Sequence, residues 1–467
     1  MMKKPAATLE RQSFVRHGKL RRSSSWGNAL RVLVTAAIVL GLSGVATAAY
    51  AVWGLVQNID TVDLGNEADG VGVGDQALDG ELTVLLVGSD SRAGQSAIED
   101  GEEGELNDVT MLLHVSADHQ NATVVSFPRD LMLAIPGCTG PNGEQYPAMS
   151  EQQLNSTLSE GLPCVASTIS ELTGMDVPNA ALITFDGVVG VSNAIGGVDV
   201  CLAQPIQDEY TDLDLAAGEN TLVGVEALQF LRTRHGVGNG GDTSRISNQQ
   251  VFMSALVQKL KSADTLSDPV KVYGLAKAAV ENMTLSKGMA SVQFMQQVAN
   301  TVKDIDLSHI NFVQYPSFDH PYQEGRLTPD YASGDALFDL IKAGQPFSVD
   351  SLGEGVEVEG GTAAEAAAAA DAAAAADGSG TAADGTTIDP TTGLPIDPNT
   401  GLPVDDSSAT ADGTAPVDDS SAGAAGATDD SSAGASGTTD GTGTALSDNV
   451  TGVTADKSIC SAGRTVY

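Results

Sequence analysis

The chain has 467 residues, with 61 Asp and Glu against 23 Lys and Arg, a formal charge of −38 and only 4% aromatic residues. That balance excludes a nucleic-acid binder acting through bulk charge, because such proteins neutralise phosphates with an excess of Lys and Arg. The charge is uneven: eight basic residues (Lys3, Lys4, Arg11, Arg16, Lys19, Arg21, Arg22, Arg31) share the first 31 positions with one acid, Glu10, which leaves 15 basic and 60 acidic side chains for the rest.

Residues 32–56 read VLVTAAIVLGLSGVATAAYAVWGLV, 25 positions without a charge. A helix needs about 20 apolar residues to cross the hydrocarbon core of a bilayer. The basic stretch precedes the run and Asp60, Asp63, Glu67 and Asp69 follow it, so the positive-inside rule puts 1–31 in the cytoplasm and the remainder outside. The expected topology is a single-pass type II protein of the cell membrane. The competing reading, a signal peptide cleaved near Ala46-Thr47-Ala48, is disfavoured because the apolar run continues through Tyr50, Val52, Trp53, Leu55 and Val56. All four cysteines (Cys138, Cys164, Cys201, Cys460) lie beyond this run, and an even count outside the cytoplasm points to disulfides. Three connectivities exist. Cys138 and Cys164 bracket one local stretch and are paired on that ground, which leaves Cys201 with Cys460.

Residues 57–78 form a polar, Gly-containing stalk. From 79 to 348 the pattern is that of one α/β domain, a mixed central sheet flanked by helices. Strands are expected at 83–90, 109–116, 122–127, 181–185 and 198–202, and helices at 164–173, 224–231, 243–262, 269–282 and 288–303. After that the composition changes. Between 351 and 450 there are 18 acids and no Lys or Arg, with Ala-rich runs, an eight-residue repeat (DPTTGLPI, DPNTGLPV) and a recurrent DDSSA. Such a tract cannot bury enough apolar surface to offset its ordering entropy, so 349–446 is expected to be a disordered acidic linker. The repeat lacks the ligand spacing of a calcium loop. The final segment, 447–467, regains ordered composition around Cys460, and a bond to Cys201 would make the tract a closed loop.

Between positions 32 and 258 stand 30 acids and only five basic residues, Arg92, Arg129, Arg232, Arg234 and Arg245, with no lysine. A solvated surface mixes Lys and Arg, whereas arginine alone points to planar, bidentate recognition of phosphate or carboxylate. Arg92 and Arg129 each follow an expected strand, where α/β sheets place ligands. Arg232 and Arg234 alternate in FLRTRH and would project the same way from an extended segment, while Arg245 and Gln249 share a helix face. The plainer alternative pairs each arginine with a neighbouring acid. Two acids, Asp90 in the GSDSR loop and Asp108 at a strand entry, offer the hard oxygens that Mg²⁺ takes beside a phosphate.

VGSDSR (87–92), NDVTMLLHVS (107–116), SFPRDLMLAIPG (126–137), LNSTLSEG (154–161), FDGVVGVSNAIGGVDVCL (185–202), GVEALQFLRTRHG (224–236) and DTSRISNQQVF (242–252) together resemble the LytR-CpsA-Psr family of cell-wall ligases. The resemblance implies a Mg²⁺-dependent phosphotransferase that takes a glycan with one phosphate from a polyprenyl-pyrophosphate carrier to a hydroxyl, typically the muramic acid 6-hydroxyl of peptidoglycan. It implies that Arg129, Arg232, Arg234, Arg245 and Gln249, with Arg92 from the same loop as Asp90, bind the pyrophosphate, and that Asp90 and Asp108 hold the metal. Asn248 departs from the family, which often has a second arginine there. The cysteines are similar to the actinobacterial branch, for which arabinogalactan, another wall polysaccharide or a wall glycoprotein is the expected partner. Arg129 and either Asp108 or Asp130 would carry the chemistry, with Asp108 favoured as proton acceptor. The stripe Val251, Phe252, Ala255, Leu256 could line a lipid groove or serve core packing. A pyrophosphatase at the same site and a non-catalytic adhesion protein are the alternatives.

Overall fold

The computed structural model of the protein describes residues 25–56, 59–65, 78–90, 106–262, 269–349, 351–358, 444–447 and 449–466. The chain divides into two units, Met1–Gln57 and Asn58–Tyr467. In the first, α1 (Ser25–Val56) is one continuous helix that contains the uncharged run. Among the described residues no helix is long and apolar enough to cross a membrane. Most side chains beyond position 40 of α1 lie outside the described residues, so the expected span at 32–56 rests on the sequence.

The second unit is built on a mixed eight-stranded sheet. Its strands are β1 (Asp60–Val62), β2 (Leu82–Ser89), β3 (Asn107–Val115), β4 (Ala122–Phe127), β5 (Asn179–Ile183), β6 (Met283–Ser286), β7 (Ile310–Gln314) and β8 (Gly452–Thr454), in the spatial order β1-β6-β5-β2-β3-β4-β7-β8. β5, β2, β4 and β7 run in one direction and their neighbours oppose them. The carboxyl ends of these four strands and the amino end of β3 therefore share one edge of the sheet.

The sequence sorts side chains to the two faces with the period of two that a pleated strand imposes. In β2, Leu85 and Val87 are fully buried on one face, where they join α2 (Leu162–Thr173) and α8 (Tyr331–Lys342) through Val165, Ile169, Leu337 and Phe338. Burying each such side chain contributes about 1.5–3 kcal/mol. The alternate residues differ in fate. Val84 packs in a second cluster with Val251, Phe294 and Phe312, whereas Leu86 and Gly88 look into an open cavity. That face is covered by α3 (Phe185–Ile195), α4 (Val225–Arg232), α5 (Asp242–Lys261), α6 (Pro269–Asn282) and α7 (Val292–Val302). α3 is capped by Thr184, whose hydroxyl accepts from the Gly187 N–H at 3.3 Å. α5 has Asp242 in its first turn and Lys259 and Lys261 in its last, matching the helix dipole.

Three sequence expectations are corrected. The stalk is not free throughout, because β1 pairs with β6, buries Val62 and sets Asp63 2.6 Å from Lys287. The segment FLRTRH is not extended: α4 runs through Arg232 and closes at Thr233. The folded body also does not end at 348. Val356–Val358 and Ile459–Ser461 join Gly218–Leu222 and Val198–Leu202 in a second sheet, β8 extends the main sheet beside β7, and Thr465–Val466 pairs with Ile206–Asp208. Val453, Ala455, Ile459 and Cys460 are buried there. Disulfides join Cys138 to Cys164 and Cys201 to Cys460, the second locking this returning segment across a sequence separation of 259. The expected disordered tract, from 359 to 443, lies outside the described residues.

Candidate active site

The shared edge collects the charged residues. Gly88 of β2 pairs with Val109 of β3 but Ser89 pairs with Asn107, so Asp108 is the extra residue of a β-bulge. A bulge re-aims its side chain and is a common device beside functional sites. Here it turns the Asp108 carboxylate toward two arginines from separate elements. Arg129, just after β4, donates from Nη1 to Asp108 Oδ1 at 2.5 Å. Arg245, on the first turn of α5, donates from Nη2 to the Asp108 carbonyl at 2.8 Å and has Nη1 3.7 Å from Asp108 Oδ2.

Asp242 closes the group from below, with Oδ1 2.7 Å from Arg245 Nη2 and 3.3 Å from Arg129 Nε. Neither contact has hydrogen-bond alignment, and both Asp242 oxygens, Arg129 Nε and Arg245 Nε are buried without a hydrogen-bond partner. The group is thus held by charge and keeps unmet donors. Burial pushes the Asp108 carboxyl up, but Arg245 and Arg129 outweigh it and hold the group below the usual carboxylate range. Burial likewise disfavours charge on Arg129, yet Asp108 and Asp242 keep its pKa above the ordinary value.

Arg234 lies in the turn after α4 and behaves differently. Burial, then the fields of Arg129 and Arg245, lower its pKa, and Asp242 and Asp108 only partly offset them. Among the described residues its guanidinium makes no hydrogen bond or ion pair. Arg129 and Arg245 thus share Asp108 and Asp242, and Arg129 also lies 3.5 Å from Asp130 Oδ2. Arg232, at the end of α4, has its Cζ 4.8 Å from the centroid of the Phe185 ring.

Below this edge opens an apolar cavity of about 170 Å³ between the sheet, α3, α4 and α5. Its walls include Leu86, Met111, Phe185, Val188, Leu228 and Phe252, and Asp108, Arg232, Arg245 and Gln249 also line it. Along α5, Arg245, Gln249, Phe252, Met253 and Leu256 face it, at the helical spacing of one side. Of the expected stripe, Phe252 and Leu256 line the cavity, whereas Val251 and Ala255 turn to a separate polar depression.

Asn248 and Gln249 hold α5 to α4 from within. Asn248 Nδ2 donates to the Phe230 carbonyl at 2.7 Å, Gln249 Nε2 donates to the Leu231 carbonyl at 3.0 Å, and Ser461 Oγ donates to Asn248 Oδ1 at 2.6 Å. Where an arginine was expected, this chain has an interior amide that meets the returning C-terminal strand. Asp90 follows β2, and its Oδ1 accepts from the Leu106 N–H at 2.7 Å. Asp90 and Asp108 thus sit at neighbouring strand ends. Arg92 lies outside the described residues.

Asp130 is held by three neighbours. Its Oδ1 accepts from Gln153 Nε2 and Arg326 Nη1, both at 2.5 Å, and its Oδ2 is 3.5 Å from Arg129 Nε, so it orients arginines. Asp242 and Arg326 were not singled out in the sequence. The three-residue offset of Asp242 from Arg245 was the available signal for the first, and nothing marked the second.

A model of the LytR_cpsA_psr family matches residues 58–328, more than half of the chain. The chain is 32% identical over 275 residues to the cell wall biosynthesis protein LcpA of Corynebacterium glutamicum, covering 52% of this chain and 53% of that protein. It is 28% identical over 222 residues to the polyisoprenyl-teichoic acid–peptidoglycan teichoic acid transferase TagV of Bacillus subtilis, covering 45% and 53%. The chain spans about half the length of these curated relatives. Among solved structures, a LytR-Csp2A-Psr enzyme from Actinomyces oris aligns with 20% identity and a TM-score of 0.44, covering 56% of this chain and 89% of that one.

Proposed function

The chain belongs to the LytR-CpsA-Psr family, and on that premise we propose that it transfers a glycan with one phosphate from a polyprenyl-pyrophosphate carrier to a hydroxyl of the cell wall, the muramic acid 6-hydroxyl of peptidoglycan first. The observation that carries the reading is the pairing of Arg129 and Arg245 with Asp108 at the lip of an apolar cavity that Asp108, Arg232 and Arg245 line. A ligand that fits is anionic at one end and aliphatic at the other. Phosphate oxygens would meet the buried Arg129 and Arg245 donors that have no partner, and a polyprenyl chain would fill the cavity between Phe185 and Phe252.

In the transfer, the acceptor oxygen bonds to the glycan-bearing phosphorus and the bond to the bridging oxygen breaks, releasing polyprenyl phosphate. Negative charge grows on the departing phosphate, where the arginines already stand in a largely water-excluded pocket. Asp108, kept as a carboxylate beside Arg129 and Arg245, is the group to take the hydroxyl proton. Mg²⁺ held by Asp90 and Asp108 would add charge neutralisation at the phosphate oxygens. The same reading places 1–31 in the cytoplasm, 32–56 across the membrane and the catalytic unit outside. The uncharged run and the two disulfides support that placement.

The test uses the full chain in detergent with polyprenyl-pyrophosphate-linked N-acetylglucosamine and uncrosslinked glycan strands. Mass spectrometry should find polyprenyl monophosphate together with glycosyl phosphate attached to the strands, at a rate lowered about 100-fold or more in Arg234→Ala. Release of glycosyl phosphate to water with none on the strands would make the protein a pyrophosphatase. An unchanged rate in Arg234→Ala would remove the arginine cluster from the reaction.

A further inference from the structure

We infer that the hairpin after β7, formed by Ser317–Asp319 and Leu327–Pro329, is the docking platform for the acceptor saccharide strand. The inference rests on the transfer reading above and names where its second substrate lies.

The first ground is direction. In-line displacement brings the acceptor oxygen to phosphorus from the side opposite the leaving group. The leaving polyprenyl phosphate belongs to the cavity under β2, β3 and β5, walled by Phe185 and Phe252. Along the shared sheet edge the arginine cluster comes next, at β3 and β4, and the neighbour beyond β4 is β7. β7 runs parallel to β4, so the segment that follows it emerges on the same edge as Arg129. The acceptor side of the phosphorus is therefore the side of this hairpin.

The second ground is chemistry. The hairpin presents Tyr322 at 91% exposure and Phe318 at 54%, large rings that contribute nothing to the core. Flat aromatic faces suit the C–H faces of sugar rings, and such sites combine rings with a few placed polar groups. Arg326 supplies one. Its Nη1 is spent on Asp130, but the side chain remains 38% exposed, and it stands one carboxylate away from Arg129.

The third ground is rigidity. The Leu327 N–H donates to the Asp130 carbonyl at 3.0 Å, which ties the hairpin to the backbone that carries Arg129. His320 pins the turn from both ring nitrogens, Nε2 lying 3.3 Å from Glu151 Oε1 and Nδ1 accepting from the Tyr322 N–H at 3.3 Å. Exposed rings on a pinned hairpin lose little entropy when they bind.

The experiment compares two reactions of one donor, the polyprenyl-pyrophosphate-linked N-acetylglucosamine. Transfer to glycan strands needs the platform, and cleavage by water does not. In Phe318→Ala with Tyr322→Ala, the ratio of transfer to water cleavage should fall about tenfold and the strand concentration for half-maximal transfer should rise by a similar factor. Tyr322→Trp in the Phe318→Ala background should recover part of that loss, because it keeps a stacking face. An unchanged ratio in the double variant overturns the platform, and so does an equal fall of both reactions, which would make the rings structural. A protein without substitutions that fails to cleave the donor refutes the transfer reading itself, and the platform falls with it.

Discussion

Opening the Cys201–Cys460 disulfide should destabilise the catalytic unit more than any other single bond change. The bond spans 259 residues, against 26 for Cys138–Cys164. Chain-entropy scaling assigns about 5.5 kcal/mol to a loop of the first size and about 3.5 kcal/mol to the second. The same logarithm makes loop length itself nearly irrelevant. Replacing 361–443 by about twenty Gly and Ser residues shortens the closed loop by roughly a quarter and changes the constraint by only about 0.2 kcal/mol. Thermal unfolding of residues 58–467, followed by circular dichroism, tests both. Cys201→Ser with Cys460→Ser should lower Tm by about 10 °C or more, and the shortened tract should move it by about 1 °C or less. A small shift in the cysteine variant would mean that Ile459–Ser461 holds by packing alone. A large shift on shortening would mean that the acidic tract makes folded-state contacts. Either result refutes the entropic account.

The remaining predictions concern the site's supports. Ser461→Ala strands the fully buried Asn248 Oδ1 and should cost about 1–3 kcal/mol in urea unfolding, with a loss of transfer rate because the Asn248 amide also fixes the end of α4 that carries Arg232. Asn248→Ala added to Ser461→Ala should cost less than the two single changes together; strict additivity would show that the pair is not coupled. Asp108 has a depressed pKa, so its stabilising contribution is complete above its unfolded value near pH 4 and is lost as pH falls through the lower folded value. Asp108→Asn should therefore be less stable than the wild type by about 2–4 kcal/mol at pH 7, with the gap narrowing below about pH 4. A gap that stays constant down to pH 2.5 would show that Asp108 is not held by its arginines.

What the sequence revealed of this site, and what it hid, divides by how far the relevant physics reaches along the chain. Arg129, Arg234 and Arg245 stood out because 30 acids and no lysine surround five arginines between 32 and 258, a compositional signal that needs no fold. The central strands were visible because their β-branched and aliphatic runs are local. The bulge that aims Asp108 was not visible, since it exists only as a register shift between β2 and β3. Asp242 was one acid among many until α5 set it under Arg245 and Arg129. The returning strands were hidden most completely. They are two or three residues long and their partners lie up to 259 residues away, so a period of two has too few positions in which to register. Asn248 joins the two classes. Read locally it was a departure from the family's pattern. Placed in the fold it is the acceptor for Ser461, an interior anchor to the chain's own C-terminal segment.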